Sequence, residues 1–416
     1  MKQTLRFLGL GSVLVAPMAF GAGFQLNEFS VTAMGRAQAG EPAMSDTAAA
    51  MARNPAAMGA FDKASVSVVY HHIDPDVDVE GQVNGVFNAD AEDVAPSASV
   101  PGLYYIQPIN EQWAVGLSLN SYFGLSTDYG SQYMASEFAE ETSIKTYYLT
   151  PTVSYKPVEN VTVGVGINYI YGEGKIKNST TPAITLGSGG TIPAGTTALD
   201  LDGDGDAFGY HLGVQWAISD ATTMGLRYQS RVNLDLDGDM ILFVPGLGPQ
   251  NFTGTLTVHL PEMYELGLVH QYNERLSLMA GIQKTGWHTF RTLTAKIDNA
   301  GARLLKDEDW QDAWRYSIGA EFKALDKLTV RVGYGYDESP VKDDKRTLTI
   351  PDADRNWYSI GGSYDLDDLG SIDVAFLYID GNSVDVNETS AFGTTFSGEL
   401  TSTGASIFSV GYNYSF

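Results

Sequence analysis

The residues best able to do chemistry are two acidic clusters and six scattered histidines. Asp200-Leu-Asp202-Gly-Asp204-Gly205 fits the first half of a calcium-binding loop, in which alternating carboxylates and a glycine wrap a hard cation. Asp206 adds a fourth carboxylate. The twelfth position, which should be a bidentate Glu, is His211, and 206–218 alternates as a strand instead of entering a helix. An external Ca²⁺ site from Asp200, Asp202, Asp204 and Asp206 is one expectation, and a solvated acidic rim is the other. Asp235, Asp237 and Asp239 repeat the pattern with the glycine misplaced. The histidines (71, 72, 211, 259, 270 and 288) include no H-E-x-x-H pair, and no G-x-S-x-G elbow is present. Nothing therefore points to zinc hydrolysis or acyl transfer, and the chain is expected not to be an enzyme. There is no cysteine, hence no disulfide and no thiol chemistry. Apart from Ca²⁺, no cofactor is expected.

The elements that would position these residues are strands. From residue 64 onward, apolar and polar residues alternate with a period of two. Val161, Val163, Val165, Ile167, Tyr169 and Tyr171 share one face of a segment; Phe408, Val410, Tyr412, Tyr414 and Phe416 share one face of the last. The pattern predicts fourteen strands, near 64–73, 97–107, 111–122, 144–156, 160–174, 206–218, 221–237, 254–272, 275–291, 311–324, 327–338, 354–365, 371–382 and 405–416. Short turns such as Ser219-Asp220 alternate with long polar connections (74–96, 123–143, 175–205, 238–253, 292–310, 339–353 and 383–404). An even strand count, alternating loop lengths and aromatics at the strand ends describe an up-and-down transmembrane barrel of the bacterial outer membrane. Arg227, Gln229, Arg231 and Arg331 lie on the face opposite the apolar one, as expected of a lumen. Closure leaves no sheet edge exposed to lipid.

Residues 1–21 have the pattern of a secretory signal: Lys2 and Arg6, an apolar stretch from Phe7 to Ala16, and small residues Ala19 and Gly21 ahead of Ala22. Losing Lys2 and Arg6 with the leader would take the formal charge from −25 to −27. So acidic a chain is a poor partner for nucleic acid. Residues 22–63 do not alternate. They are rich in Ala, Gly and Met, and short helical turns broken by Pro55 are expected there. The division is thus leader 1–21, N-terminal plug or hatch 22–63, and barrel 64–416, all-β in class.

Ala22-Gly-Phe-Gln-Leu-Asn-Glu-Phe29, Gly35-Arg36-Ala37, Arg53-Asn54-Pro55-Ala56, Leu260-Pro261-Glu262-Met263, Asp312-Ala313-Trp314-Arg315 and Ile350-Pro351-Asp352-Ala353-Asp354-Arg355 follow one another along the chain. In these motifs the sequence resembles the FadL-type long-chain fatty acid transporters of the Gram-negative outer membrane, a group that also includes aromatic-hydrocarbon channels. The resemblance implies a fourteen-stranded barrel blocked by its hatch, with Phe24 near the moving end and Asn54, Pro55 and Ala56 near the wall. It implies capture of ligand in an external apolar groove, for which Phe243, Leu247, Leu304 and Leu305 are candidates. It also implies passive diffusion to a deeper pocket and sideways exit at a kink in the third strand, with Gly124 as the kink position. Ligand carboxylate readers carried over by motif are Ser121, Lys306 and, in the basic position after the fifth strand, Asn178 or its neighbour Lys177.

The expected partners are a long-chain fatty acid or another hydrophobic small molecule, together with outer-membrane lipid and lipopolysaccharide. A monomer is expected, and the external loops suit a phage receptor. Rival readings are an uptake channel for hydrocarbons, a general porin, and a lipid-modifying enzyme of the outer membrane.

Overall fold

In a computed structural model describing residues 22–185 and 190–416, the chain closes an antiparallel barrel of fourteen strands around its own N-terminal segment. The predicted leader lies outside the described residues. The strands are β1 (Ser65–Val83), β2 (Ala98–Pro108), β3 (Trp113–Asn120 and Gly124–Asp128), β4 (Glu141–Val158), β5 (Val161–Ser179), β6 (Thr197–Ser219), β7 (Thr222–Gln229 and Val232–Val244), β8 (Gly248–Leu260 and Met263–Gln271), β9 (Leu276–Thr285 and Thr292–Ile297), β10 (Gly301–Asp307 and Ala313–Leu325), β11 (Leu328–Asp337), β12 (Arg355–Asp365), β13 (Ser371–Gly381, with an outer extension Val384–Thr389) and β14 (Thr395–Ser415). Each pairs with the next, and β14 returns to β1 from Ser65↔Ser415 to Val83↔Phe396.

All fourteen predicted strands are present and in order, but several run further than the alternation suggested. β1 extends ten residues past Ile73, and β6 begins at Thr197 instead of 206. The segments 238–253 and 383–404, expected as long loops, are mostly hairpins that continue the wall beyond the membrane, with tight turns after Val244 and Thr389. Thr- and Asp-rich stretches alternate as well as apolar ones do once neither face meets lipid. Asp200–Asp206 is part of this extension. Asp202, Asp204 and Asp206 stand on the outward, exposed face of a strand, so the loop geometry of a calcium motif is absent. Among the described residues no group of three or more His, Asp or Glu side chains is placed to hold a metal ion.

Over the membrane belt the lipid-facing side chains are apolar. In β6, Phe208, Tyr210, Leu212, Val214 and Trp216 point outward and are well exposed, while His211 and Gln215 point inward and are buried. The reverse arrangement holds above the belt. In β7 the even residues Leu226 and Tyr228 face out; after a break at Ser230-Arg231 the even residues Val232, Leu234 and Leu236 face in. β8 does the same across Pro261-Glu262: Leu256, Val258 and Leu260 are buried inside, whereas Tyr264, Leu266 and Leu268 are exposed outside. An interruption of the ladder that shifts the phase by one residue exchanges the two faces of a strand. Arg231, expected in the lumen with Arg227, is for this reason outside and exposed.

Residues 22–60 fill the lumen. Two single-turn helices (Val31–Met34 and Ala50–Arg53) alternate with 3₁₀ turns (Glu41–Ala43 and Pro55–Ala60). Almost every side chain of this segment is buried. Ser30 caps the first helix by accepting from Ala33 N–H, and Asn54 caps the turn that starts at Pro55 by accepting from Ala56 N–H at 2.9 Å. Asn54 also donates to Val214 O at 3.1 Å. The wall is flat here because it is glycine: a Cβ on Gly213 would overlap Asn54 Oδ1, and one on Gly164 the backbone of Pro55. Asn54, Pro55 and Ala56 thus lie directly against the strands.

Candidate functional site

The inner half of the lumen is polar and grips the N-terminal segment. Arg53 Nη2 reaches Glu265 Oε1 of β8 and Gln283 Oε1 of β9, both at 3.1 Å. Arg315 of β10 donates to Asn27 Oδ1 at 2.5 Å and to Gln283 Oε1 at 2.7 Å. Gln283 and Thr285 in turn donate to Gln25 Oε1, each at 3.0 Å. These charges are fully buried, so they are tolerable only as a paired and hydrogen-bonded set.

The outer half is apolar. Leu125, Ile144, Ile176, Leu236, Leu256, Val258, Phe290, Leu293 and Ile350 converge on a narrow cavity of about 40 Å³, with Phe24 among its walls. Phe24 is 2 % exposed and sits in an aromatic box, its ring centroid 4.7 Å from Trp287, 5.3 Å from Phe290, and 5.9 Å from both Phe123 and Trp310. Gly23 permits this seat. Its φ is +65°, and a Cβ there would come within 2.6 Å of the Trp310 ring and 2.9 Å of Trp287.

The backbone beside Phe24 is bonded to a gap in the wall. β3 stops pairing at Asn120 and resumes at Gly124↔Lys145. Between them, Ser121-Tyr122-Phe123 turns off the ladder. On the other side, the outer residues 98–102 of β2 pair with β1, while the β2–β3 ladder covers only 103–108. The N-terminal segment bonds into this break: Leu26 N–H donates to Tyr122 O at 2.8 Å and Gly124 N–H donates to Phe24 O at 2.9 Å, around an isolated Gln25↔Phe123 bridge. The interruption is therefore the tripeptide Ser121–Phe123. Gly124, expected as the bend itself, is the first residue of the resumed strand, where a Cβ would press on Leu26 at 3.3 Å.

Nearer the external end lies a larger cavity of about 390 Å³. Phe138, Leu199, Leu242, Leu304, Leu305 and Phe392 give it apolar walls, and Lys306 stands on it. Lys306 Nζ donates to Thr349 Oγ1 at 2.5 Å and to Glu388 Oε2 at 3.2 Å. Thr349 lines the deeper apolar cavity, so its bond to Lys306 joins the two cavities. Glu308, two residues on, accepts from Trp310 Nε1 at 3.2 Å. Burial pushes the Glu308 carboxyl up to about 7 against the pull of Lys306, and burial likewise raises Glu137 to about 7.

Of the four residues expected to read a carboxylate, the structure gathers two. Lys306 and Asn178 line the same external cavity, Asn178 donating to Phe138 O at 3.4 Å. Lys177 alternates to the outer face and pairs with Glu140 at 2.7 Å. Ser121 is held at the strand break, donating to Phe123 O at 3.2 Å, and belongs to neither cavity. Among the apolar candidates, Leu304 and Leu305 line the external cavity; Phe243 packs on its Phe392 at 5.5 Å; Leu247 stands 72 % exposed at the β7–β8 turn and lines no part of it. Thr349, Glu388, Arg346 and the apolar residues of the outer half were missed, although inward-facing Leu234, Leu236, Leu256 and Val258 alternate plainly in the sequence.

His71 Nδ1 and Ser409 Oγ are 2.7 Å apart, but both are buried and the other ring nitrogen has no carboxylate on it.

A barrel blocked by a polar-anchored segment, with an apolar cavity above and a broken strand beside it, has close counterparts. Residues 12–416 match the profile of a family described as outer membrane protein transport protein (OMPP1/FadL/TodX). The long-chain fatty acid transport protein of Escherichia coli O6:H1 is 34% identical over 439 residues, which cover 98% of each chain. The crystal structure of a FadL homologue from Pseudomonas aeruginosa superposes with a TM-score of 0.86 at 25% identity, over 95% of this chain and 100% of that one. The toluene transporter TbuX of Ralstonia pickettii shares the fold, with a TM-score of 0.68 at 18% identity over 93% of this chain and 98% of its own. The chain belongs to the OMPP1/FadL/TodX family of outer membrane transport proteins.

Proposed function

We propose that this protein carries long-chain fatty acids across the outer membrane by passive diffusion. A fatty acid enters the external cavity, and its carboxylate binds Lys306 beside Thr349. Its acyl chain passes into the apolar outer lumen, where each buried CH₂ contributes about 0.8 kcal/mol. No energy source is needed, because water on the outside is the less favourable phase for the chain.

The deeper cavity is too small for an acyl chain while Phe24 stands in it, so passage requires Phe24 to withdraw. The backbone that carries Phe24 is the same backbone that bridges the break in β3. Withdrawal therefore opens the wall between β2 and β3 as it enlarges the pocket, and the ligand leaves sideways into the membrane. The polar inner lumen stays closed. The observation that carries this reading is that shared position: Phe24 O accepts from Gly124 N–H, and Leu26 N–H donates to Tyr122 O, across the break in β3.

The decisive experiment is competition. Purified protein is loaded with a labelled C16 hydrocarbon, and oleate is added. Displacement by oleate at lower concentration than by the matching alcohol supports a fatty acid carrier. Indifference to oleate with displacement by toluene would establish a hydrocarbon channel instead. High ion conductance of the intact protein would establish a porin.

A further inference from the structure

The external cavity already holds a carboxylate on the lysine assigned to the ligand. Glu388 accepts from Lys306 Nζ through Oε2 at 3.2 Å, and its Oε1 accepts from the Leu348 backbone N–H at 2.5 Å. Both side chains are mostly buried, at 11 % and 19 % exposure. The donors therefore comprise one ammonium and one backbone N–H, immediately before Thr349. That is the set a monocarboxylate would use. Of the three other cations lining this cavity, Arg303 is exposed at its rim and two are committed elsewhere. Arg346 binds Asp343 and the carbonyls of Asp352 and Asp385, and Lys345 binds Asp307. Glu388 sits on the outer extension of β13, whose turn into β14 carries Phe392 at the same cavity.

We infer that Glu388 is a built-in stand-in for the fatty acid carboxylate. The incoming carboxylate replaces it on Lys306 and on Leu348 N–H, and the displaced glutamate swings out to water with its hairpin. This rests on the headgroup reading of Lys306 given above. Two consequences follow from the charges. Lys306 is paired in both the empty and the loaded protein, so neither state leaves a half-buried ammonium uncompensated. Only an anion can take the place of Glu388, so neutral chains of equal length gain nothing from the exchange. The internal pair also weakens capture, which suits a site that must hand its ligand inward.

The test uses the full chain in lipid nanodiscs, with a fluorescent C16 fatty acid and the corresponding C16 alcohol as probes. Glu388→Gln keeps the size of the side chain and an acceptor for Leu348 N–H. It should tighten fatty acid binding by about tenfold, the worth of one hydrogen bond to a charged group, and leave the alcohol unchanged. Lys306→Ala should weaken the fatty acid by at least as much, and the double variant should show no gain over Lys306→Ala. If Lys306→Ala weakens binding but Glu388→Gln does not tighten it, the stand-in is overturned and the headgroup reading survives. If the gain persists in the double variant, Glu388 acts by general repulsion and the stand-in is likewise overturned. If Lys306→Ala changes nothing, the headgroup reading itself fails.

Discussion

The two halves of the lumen hold the same N-terminal segment by opposite means. In the inner half, Arg53 and Asn27 are fixed by Glu265, Gln283 and Arg315 through hydrogen bonds of 2.5–3.1 Å. In the outer half, Phe24 is held by aromatic faces and leucines. Hydrogen bonds between buried charges are directional and costly to break. Apolar contact is neither directional nor specific to one occupant, and an acyl chain can replace a phenyl ring at little cost. The difference assigns the parts of the segment: an anchor on the inner side and an exchangeable tip on the outer. The tip also carries the backbone that closes the break in β3, so one motion serves both pocket and wall.

Breaking the anchor should have the largest effect. Arg53→Met removes the nearest partner of the buried Glu265, leaving Arg227 and Arg315 each at 3.6 Å, at a cost of about 3 kcal/mol to the seating of the segment. Ion conductance in planar bilayers should rise, and the segment should become open to protease while the barrel stays folded. Unchanged conductance would show that the inner half is not the anchor. Trimming the tip comes next. Phe24→Ala removes about 3 kcal/mol of buried aromatic contact, yet it should tighten fatty acid binding, since no ring remains to be displaced. A rise in conductance as large as that of Arg53→Met would erase the distinction between the halves.

Lys306→Ala tests the entrance to the apolar half, with an expected loss of about 1.5–3 kcal/mol in fatty acid binding and none for the alcohol. The smallest effect is on pH. Burial holds the Glu308 carboxyl near 7, above its ordinary range, so it is neutral below that pH and charged above it. The folded state binds the extra proton, so the stability contributed by this group falls as pH rises from about 4.5 to 7. The new charge also stands near Lys306. Fatty acid affinity should drop by roughly threefold as pH rises through about 7, and Glu308→Gln should flatten that step. A step of equal size in the variant would assign it to another group.

The inner half was legible in the sequence and the outer half was not. Alternation located every strand, and Arg227, Gln229 and Arg331 marked a polar interior. Val232, Leu234, Leu236 and Leu256 continue the same alternation without a missed beat, so 221–237 and 254–272 each read as one strand with one lipid face. The breaks at Ser230-Arg231 and Pro261-Glu262 swap the faces, and what looked like lipid-facing leucine lines the pocket. Pro261 was a visible signal of the second break; Ser230-Arg231 gave none. The same phase change sent Arg231 outward. Lys177 faces out because it is one residue from the inward-facing Asn178. The tract 22–63 was legible as a lumen-sized insert, and its bridge to Tyr122 and Gly124 was not, since a two-residue bridge across the barrel leaves no periodic trace.

The most direct test of the shared motion is a reversible lock. The chain has no cysteine, so a Gln25→Cys, Phe123→Cys pair would be its only thiols. The Gln25↔Phe123 bridge lies between the two flanking hydrogen bonds, a close antiparallel position whose spacing of about 4.5 Å accepts a disulfide. The measurement is uptake of labelled oleate by cells carrying the double variant, oxidised and then reduced, beside each single variant. The account predicts that oxidation abolishes uptake and reduction restores it. Undiminished uptake with the disulfide formed would show that fatty acid passes without opening the gap in β3, and would contradict it.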